Sequence, residues 1–448
     1  MIPIGPAQES NGNTQSRSRL GVILLTIFID LVGFSIIFPL FPSILEYYLP
    51  RGGDSGILAA FISLMSTLPV VEESQRPFLT HVLFGGILGS LYSILQFISA
   101  PIWGRMSDRI GRRNIMLWTV AGTTFGYLIW FLSGSFLLLI ISRVINGISG
   151  GNLSVATAAV ADVTGKKSRS SGMALIGVAF GLGFIVGPVI GGFSALYDIS
   201  AHHPGLVGFG VNPFSMPALI ACLLSAINWI WIFLRFVETL PPEPQKVSQR
   251  ETSRNRITEM FSIQDRDVRL TTQLYFIFIT AFSGMEFTLP FLAAERLNYS
   301  TAENARIFLF IGVILIIIQG GVVRSLAPRM GEKCLAILGI ISGILAFFLI
   351  SSAISTTTFY IGLALLAIGI GLASPTLASL VSLYSADREQ GHYLGLFRSA
   401  GSLARAIGPI AAGFIYWYVG SRFCYLTAAV ILFIPLALAF RLRQPAKN

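Results

Sequence analysis

The sequence has little charge for its length. Charged residues make up 12% of its 448 residues, about half of the roughly 25% that is usual in soluble domains. Hydrophobic residues make up 54%, and the mean hydropathy is +0.73. So few charges cannot cover so apolar a chain in water, and the same values exclude disordered, coiled-coil and disulfide-rich secreted proteins. The sequence therefore predicts an integral membrane protein.

Residues that bind metals or catalyse reactions are also scarce. There are three cysteines and four histidines, and they form no metal-ligand spacing; we expect no structural disulfide, no metal and no other cofactor. No Gly-x-x-x-x-Gly-Lys-Ser/Thr loop and no nucleophile–base set occurs, so neither a nucleotide-driven pump nor an enzyme is indicated. The net charge of +10 does not predict nucleic-acid binding, because the basic residues lie mostly in short loops between apolar runs.

Apolar runs long enough to cross a bilayer, about 20 residues each, recur along the chain. They predict twelve transmembrane helices, at 20–41, 82–103, 115–133, 136–160, 172–197, 217–237, 270–292, 305–325, 334–352, 356–384, 393–416 and 419–441. The predicted organisation is a cytoplasmic segment 1–19, a six-helix bundle 20–237, a cytoplasmic linker 238–269, a second six-helix bundle 270–441 and a cytoplasmic tail 442–448. The apolar stretch Ile57–Val71 is too short to span and is interpreted as interfacial.

The distribution of basic residues orients these spans. Twenty-two Lys and Arg residues fall on the side that holds both termini, and four fall on the other side. Both termini are therefore predicted to be cytoplasmic. The two halves also repeat, since Gly187-Pro188 and Gly408-Pro409 are 221 residues apart and each precedes a cluster of small residues. Duplicated halves are common in secondary transporters, so we expect an all-α membrane fold of two pseudo-symmetric bundles.

The loop after the second predicted span combines glycines, an aspartate and arginines. Its motif residues are Gly104, Asp108, Arg109, Gly111, Arg112 and Arg113. This loop resembles the motif of the same position in the major facilitator superfamily. The glycines permit a tight turn, and the aspartate can pair with arginines or with a helix N-terminus, so the cluster could hold the two halves together in one conformation. The alternative is a loop that only orients the protein in the membrane.

The fifth predicted span carries a second motif, composed of Gly183, Gly187, Pro188, Gly191 and Gly192. It resembles the motif associated with antiporters in the drug:proton antiporter branch of the same superfamily. Glycines at this spacing let helices approach closely, and the proline favours a bend. The alternative is helix packing without any bearing on the direction of transport.

The stretch from Asp30 to Pro42, in and just after the first span, is similar to the opening helix of tetracycline exporters. Nearly the whole chain resembles a family of animal tetracycline transporter-like proteins. The resemblance implies a multi-pass organic anion antiporter of the plasma membrane or of an endomembrane such as the nuclear inner membrane. We expect a monomer whose partners are a small amphipathic organic anion, protons or a counter-ion, and the lipid bilayer.

Ionisable residues within the spans are costly and usually face a cavity or a partner. The candidate substrate and coupling residues are Asp30, Arg143, Asn146, Glu286, Arg398 and Arg405. Three arginines against two carboxylates give this set a charge of +1, which favours anions. Asp30 is expected to pair with Arg143, as either a coupling switch or a structural ion pair, and Glu286 with Arg398 or Arg405.

The sequence thus predicts alternating-access export of organic anions, coupled to proton or ion antiport and relevant to drug efflux. A multidrug or tetracycline-like cation exporter and an uncoupled facilitator are alternatives within the same fold. A non-transporting receptor or scaffold is the alternative of a different class. Asn298 begins an Asn-Tyr-Ser sequon on the predicted outer side and is a candidate for glycosylation.

Overall fold

The computed structural model describes residues 7–52, 76–164, 169–240, 259, 262–386 and 389–444. The regular structure of these residues is helical. The α-helices are α1 Ala7–Ser35, α2 Phe41–Gly52, α3 Arg76–Ile110, α4 Arg112–Phe131, α5 Phe136–Ser149, α6 Asn152–Val163, α7 Arg169–Ser194, α8 Ile199–His202, α9 Ser215–Arg235, α10 Arg266–Leu297, α11 Thr301–Ile317, α12 Arg324–Met330, α13 Glu332–Ser351, α14 Thr356–Tyr384, α15 Gln390–Ile431 and α16 Phe433–Phe440. Two 3-10 helices, Phe38–Leu40 and Pro204–Phe209, and a π-helix, Ile318–Val323, complete the set.

Ten helical segments in the described ranges are long and apolar enough to cross a membrane. Helix α4, with 20 residues, is not among them. The last of the ten, His392–Phe440, is 49 residues long and contains Gly420, whose φ of 80° breaks the helix. If α4 is added to these ten segments and the last segment is divided into two at Gly420, the count is twelve, which agrees with the prediction. That count and the cytoplasmic position of the termini stay predictions.

Two predicted boundaries differ from the structure. The first span continues past residue 41 because a 3-10 helix leads directly into α2, where Pro42 lies in the first turn and needs no hydrogen-bonded N–H. Helix α10 begins at Arg266, inside the predicted linker, because the side chain of Asp265 accepts hydrogen bonds from the first backbone amides of the helix. The stretch Ile57–Val71 and linker residues 241–258 lie outside the described residues.

The two halves meet at the predicted outer end of the molecule. The hydroxyls of Ser43 and Thr301 are 2.9 Å apart. Near them, Gly192 of α7 faces α11, where a Cβ on this glycine would come within 2.2 Å of the Cβ of Ala305. A Cβ on Gly86 of α3 would come within 2.7 Å of the carbonyl oxygen of Pro409 in α15. These helices cross the seam at separations that only glycine permits.

The end with the basic loops is packed less closely. A Cβ would meet nothing within 4 Å at Gly177 of α7, at Gly320 in the π-helix or at Gly395 of α15. The segment Thr301–Met330 is only 17% buried within the protein over its most apolar window, whereas Arg266–Leu297 is 72% buried. Among the described residues, the close glycine contacts between the two halves thus lie at the predicted outer end.

Candidate functional site

A small cavity lies between the two halves, and it contains two of the six predicted substrate and coupling residues. Glu286 of α10 and Arg405 of α15 both line it. Most of the other lining side chains are aromatic or small, namely Phe34, Phe38, Phe41, Gly89, Ser93, Phe184, Ser283, Phe287 and Pro409. The free volume is about 20 Å³, which is enough for about one water molecule. The site therefore has one carboxyl group, that of Glu286, and one guanidinium, that of Arg405, surrounded mainly by phenylalanine side chains.

The guanidinium of Arg405 reaches from the C-terminal half to the N-terminal half. Its carbon lies 5.5 Å from the ring centroid of Phe180 and 5.8 Å from that of Phe184, both on α7. These are cation–π distances. Among the described residues, no ion pair joins Arg405 to Glu286 or to another carboxylate. The expected pair of Glu286 with Arg405 is thus not formed, because Arg405 is directed to the two rings instead.

Asp30 and Arg143 do not line this cavity, and no ion pair joins them in the part of the chain described. The amide of Asn152 donates to one carboxylate oxygen of Asp30, while the other oxygen has no partner. The guanidinium of Arg143 lies over the ring of Trp130, 4.6 Å from its centroid. The expected Asp30–Arg143 pair is therefore replaced by an amide contact and a cation–π contact inside the N-terminal bundle.

The remaining two predicted residues are also outside the cavity. Asn146 lies one turn after Arg143 on α5, is fully buried, and has a hydrogen-bond partner for neither side-chain atom among the described residues. Arg398 lies on α15, seven residues before Arg405, and is partly buried. Of the six residues predicted to share one cavity, two thus lie at the seam, three lie inside the N-terminal bundle, and Arg398 lies on α15 of the C-terminal half. The cavity itself contains one arginine and one glutamate rather than a surplus of arginine.

The loop motif is built around Arg112, which is only 6% exposed. Its guanidinium is 2.6 Å from Asp108 of α3 and 3.0 Å from Asp162 of α6, and it donates to the hydroxyl of Ser107 at 2.6 Å. Asp108 and Arg109 are themselves exposed. All of these partners belong to the N-terminal half. The cluster thus joins helices of one half in this structure.

Glu238, which the sequence places in the predicted linker, contacts this loop. The two carboxylate oxygens of Glu238 accept hydrogen bonds from the backbone amides of Arg112 and Arg113, at 3.0 and 3.2 Å. An acidic group at the first turn of α4 compensates unpaired N–H groups and the helix dipole. Gly111 permits the turn with a φ of 104°, and the Arg113 side chain donates to the carbonyl of Phe233. The loop is therefore fastened to the end of α9.

The glycines of the second motif bring α7 against α1. A Cβ at Gly183 would come within 2.6 Å of the Leu31 Cβ, and one at Gly187 within 2.1 Å of the Ser35 hydroxyl oxygen. The Ser35 hydroxyl also donates to the Gly183 carbonyl at 3.0 Å. Gly191 faces the backbone of Ile36, the residue that follows α1, and Pro188 lies within the helix. The structure assigns these glycines a packing role, and their bearing on transport direction stays a prediction.

Asn298 lies in the three-residue connection between α10 and α11. It is exposed and adopts the left-handed conformation, with a φ of 53°. Its glycosylation stays a prediction.

The sequence did not predict the aromatic rings that contact the arginines, Phe180, Phe184 and Trp130. A phenylalanine or tryptophan in an apolar span carries no signal that separates it from packing residues.

Comparisons with known proteins agree with this architecture. The model of the family described as the Major Facilitator Superfamily matches residues 23–409 and 333–448. The chain is 33% identical to major facilitator superfamily domain-containing protein 10 of Mus musculus, over 100% of this chain and 96% of that protein. It is 29% identical to the class D tetracycline resistance protein of Salmonella ordonez, over 92% and 96% of the two chains. A crystal structure of the human organic anion transporter MFSD10 (TETRAN) superposes with a TM-score of 0.72, at 32% identity, over 95% of this chain and 99% of that one.

Proposed function

Because this chain belongs to the major facilitator superfamily, we propose that it exports amphipathic organic anions by alternating access, in exchange for protons or another ion. It is a multi-pass membrane transporter by family; the substrate, the coupling ion and a location in the plasma membrane or an endomembrane belong to the proposal. The observation that carries it is Arg405, an arginine without an ion-pair partner among the described residues, in a cavity at the seam.

The chemistry of this cavity favours an anion over a cation. A guanidinium offers five N–H donors in a planar arrangement suited to carboxylates, and the Arg405 guanidinium lies beside the rings of Phe180 and Phe184 rather than in an ion pair with a described carboxylate. The surrounding phenylalanines supply apolar surface for the rest of the substrate. A ligand with one acidic group and an apolar body matches both features. The human relative whose crystal structure resembles this chain is described as an organic anion transporter, which supports the same substrate class.

Glu286 is the acid we propose for coupling. It lines the cavity together with Arg405, which acts on it electrostatically. A substrate anion and the ionised Glu286 carboxylate would therefore compete for one guanidinium. An anion that takes the guanidinium therefore favours a proton on Glu286, so the two binding equilibria are coupled. That the proton moves in exchange for the anion is a separate part of the proposal, suggested by the antiporter-type motif of α7 and tested by the sign of the dye signal. Asp30, with one oxygen that has no described partner, is the second acid available to the N-terminal half.

The position of the contacts between the two halves supports alternating access. Glycine contacts across the seam, at Gly86 and Gly192, close the predicted outer end, and we propose that the cavity is reached from the predicted cytoplasmic end. A transporter with this arrangement receives its substrate from the cytoplasmic side. Release on the other side requires the seam to open at the outer end and to close at the cytoplasmic end, where the loop of Arg112 lies.

The test uses the purified full chain in liposomes that contain a trapped pH-sensitive dye. Amphipathic anions and cations are added to wild type, to Glu286→Gln and to Glu46→Gln, a matched change at an exposed position of α2. We expect anions to drive proton movement in the opposite direction in wild type and in Glu46→Gln, and not in Glu286→Gln. The sign of the dye signal separates exchange from movement of the proton with the anion.

Each other outcome contradicts a defined part of the proposal. Proton movement driven only by cations would identify a tetracycline-like cation exporter, which the similarity to the class D tetracycline resistance protein favours as the second candidate. Anion uptake without any proton or ion movement would indicate a facilitator. Absence of both uptake and proton movement, in protein that folds and inserts, would contradict transport of these compounds altogether.

A further inference from the structure

The cavity at the seam has no room for a substrate as it stands. Its free volume of about 20 Å³ is far below the 300–1,000 Å³ or so of a typical small-molecule pocket. A ligand that reaches Arg405 must therefore take the place of side chains that now fill the site. The two rings that already lie against the guanidinium, Phe180 and Phe184, are the groups that such a ligand displaces first.

These two rings are both suited to move. Phe180 and Phe184 lie one turn apart on α7, with their centroids 6.4 Å apart and their planes within 19°. Each is only partly buried, whereas Phe41 and Phe287 on the opposite wall are 1% and 4% exposed. Phe184 also makes an edge contact with Phe34, at 5.8 Å. Phe184 is thus the ring that touches both Arg405 and the cavity wall.

From this geometry we propose that the site selects anions in which the acidic group is carried by an aromatic compound, and that Phe184 occupies the place of the substrate ring in the empty protein. The proposal rests on the proposed function, because it names the class of organic anion. When an aromatic ligand displaces Phe184, the ligand's own ring replaces the lost cation–π contact with Arg405. A saturated ligand of the same size and charge displaces Phe184 without forming such a contact.

The competition has a specific consequence for a Phe184 variant. Removal of the ring relieves every ligand of the cost of displacing it, so affinities for aromatic and saturated anions rise together. The preference between them remains, because it depends on the contact between the ligand and Arg405. If Phe184 were instead a fixed wall that stacks on the ligand, its removal would weaken binding of the aromatic anion alone. The two roles therefore predict changes of opposite sign.

The experiment measures binding of two carboxylates to the purified full chain, 4-phenylbutyrate and its saturated counterpart 4-cyclohexylbutyrate. Wild type is expected to bind the phenyl compound about three- to tenfold more tightly, the equivalent of one cation–π contact. Phe184→Leu is expected to bind both compounds more tightly by a similar factor, with the preference unchanged. Phe180→Leu tests the same prediction at the second ring, and Phe193→Leu is the control, an exposed phenylalanine of the same helix.

The outcomes separate this inference from the proposed function. Equal affinities of wild type for both compounds would overturn the aromatic preference and leave anion transport standing. Weaker binding of 4-phenylbutyrate alone in both ring variants would overturn the displacement role. If wild type binds neither compound and transports no other organic anion, the proposed function fails first. If Phe184→Leu does not fold, Phe180→Leu decides, because its ring lies at a similar distance from the Arg405 guanidinium, 5.5 Å compared with 5.8 Å for Phe184.

Discussion

The contact of Gly192 with α11 gives the sharpest prediction about the conformational equilibrium. A methyl group at this position would come within 2.2 Å of the Ala305 Cβ and within 3.0 Å of the Thr301 carbonyl oxygen. Both neighbours belong to the other half and neither can rotate away, because one is a Cβ and the other is backbone. The change Gly192→Ala is therefore expected to destabilise the state that is closed at the outer end, while the packing inside each half is kept.

The size of the effect follows from the cost of overpacking. Insertion of one methyl group into a tight contact costs about 1–3 kcal/mol, and a difference of that size changes an equilibrium constant by about 5- to 150-fold. The change should favour the conformation that is open at the outer end. The variant Gly177→Ala is the matched control, because it lies on the same helix and its new Cβ would meet nothing within 4 Å.

The assay is a distance measurement between spin labels on the outer loops of the two halves. Suitable positions are Gly208, where a side chain meets nothing within 4 Å, and Ile354, which is 87% exposed; the three native cysteines are replaced first. In Gly192→Ala we expect a longer distance to gain population relative to wild type and to Gly177→Ala. An unchanged distance distribution in a variant that melts like wild type would refute the reasoning, because the clash would then be absorbed without separating the halves.

Two further predictions concern arginines that join helices, each measured as the thermal melting of purified protein. Arg112→Met should lower stability by about 1–3 kcal/mol, because it removes the contacts of a buried guanidinium with Ser107 and with the partly exposed carboxylates of Asp108 and Asp162. Arg109→Met, at an exposed position, should change little, and equal losses would contradict the role of the cluster. Arg296→Met should lower stability by about 2–3 kcal/mol. The Arg296 guanidinium donates to three carbonyls at the end of α13, those of Ile350, Ser351 and Ala353, and the substitution leaves them without this donor. A similar loss of stability in the exposed control Arg422→Met would argue against that explanation.

The sequence located what depends on local pattern. Long apolar runs predicted the helices, and the loop motif together with the likeness to tetracycline exporters pointed to the superfamily, which the family match confirms. The glycines of α7 lie in the close helix contacts that their spacing indicates. Boundaries failed where a short-range contact overrides hydropathy. Asp265 starts α10 inside a polar stretch, and the 3-10 helix at Phe38–Leu40 carries the first span past two prolines.

The arrangement of the charges could not be predicted in the same way. Counting intramembrane residues placed Asp30, Arg143, Glu286 and Arg405 in one set, but charge alone does not say which neighbour a guanidinium will choose. In the structure Arg143 and Arg405 both lie against aromatic rings. An aromatic ring has no formal charge, so a charge count does not include it. The same limit applies to Glu238, whose partners are backbone amides more than a hundred residues earlier in the chain.

The low burial of α11 and its π-helical continuation has a consequence for the membrane around the protein. With 17% of its most apolar window buried within the protein, this segment depends on lipid for most of its contacts. A change in bilayer thickness alters the match between a span and its surroundings at a cost of fractions of a kcal/mol per Å. That cost falls mainly on α11, the helix that meets α7 at the predicted outer end. We therefore expect lipid composition to act on the same conformational equilibrium as a substitution at the seam.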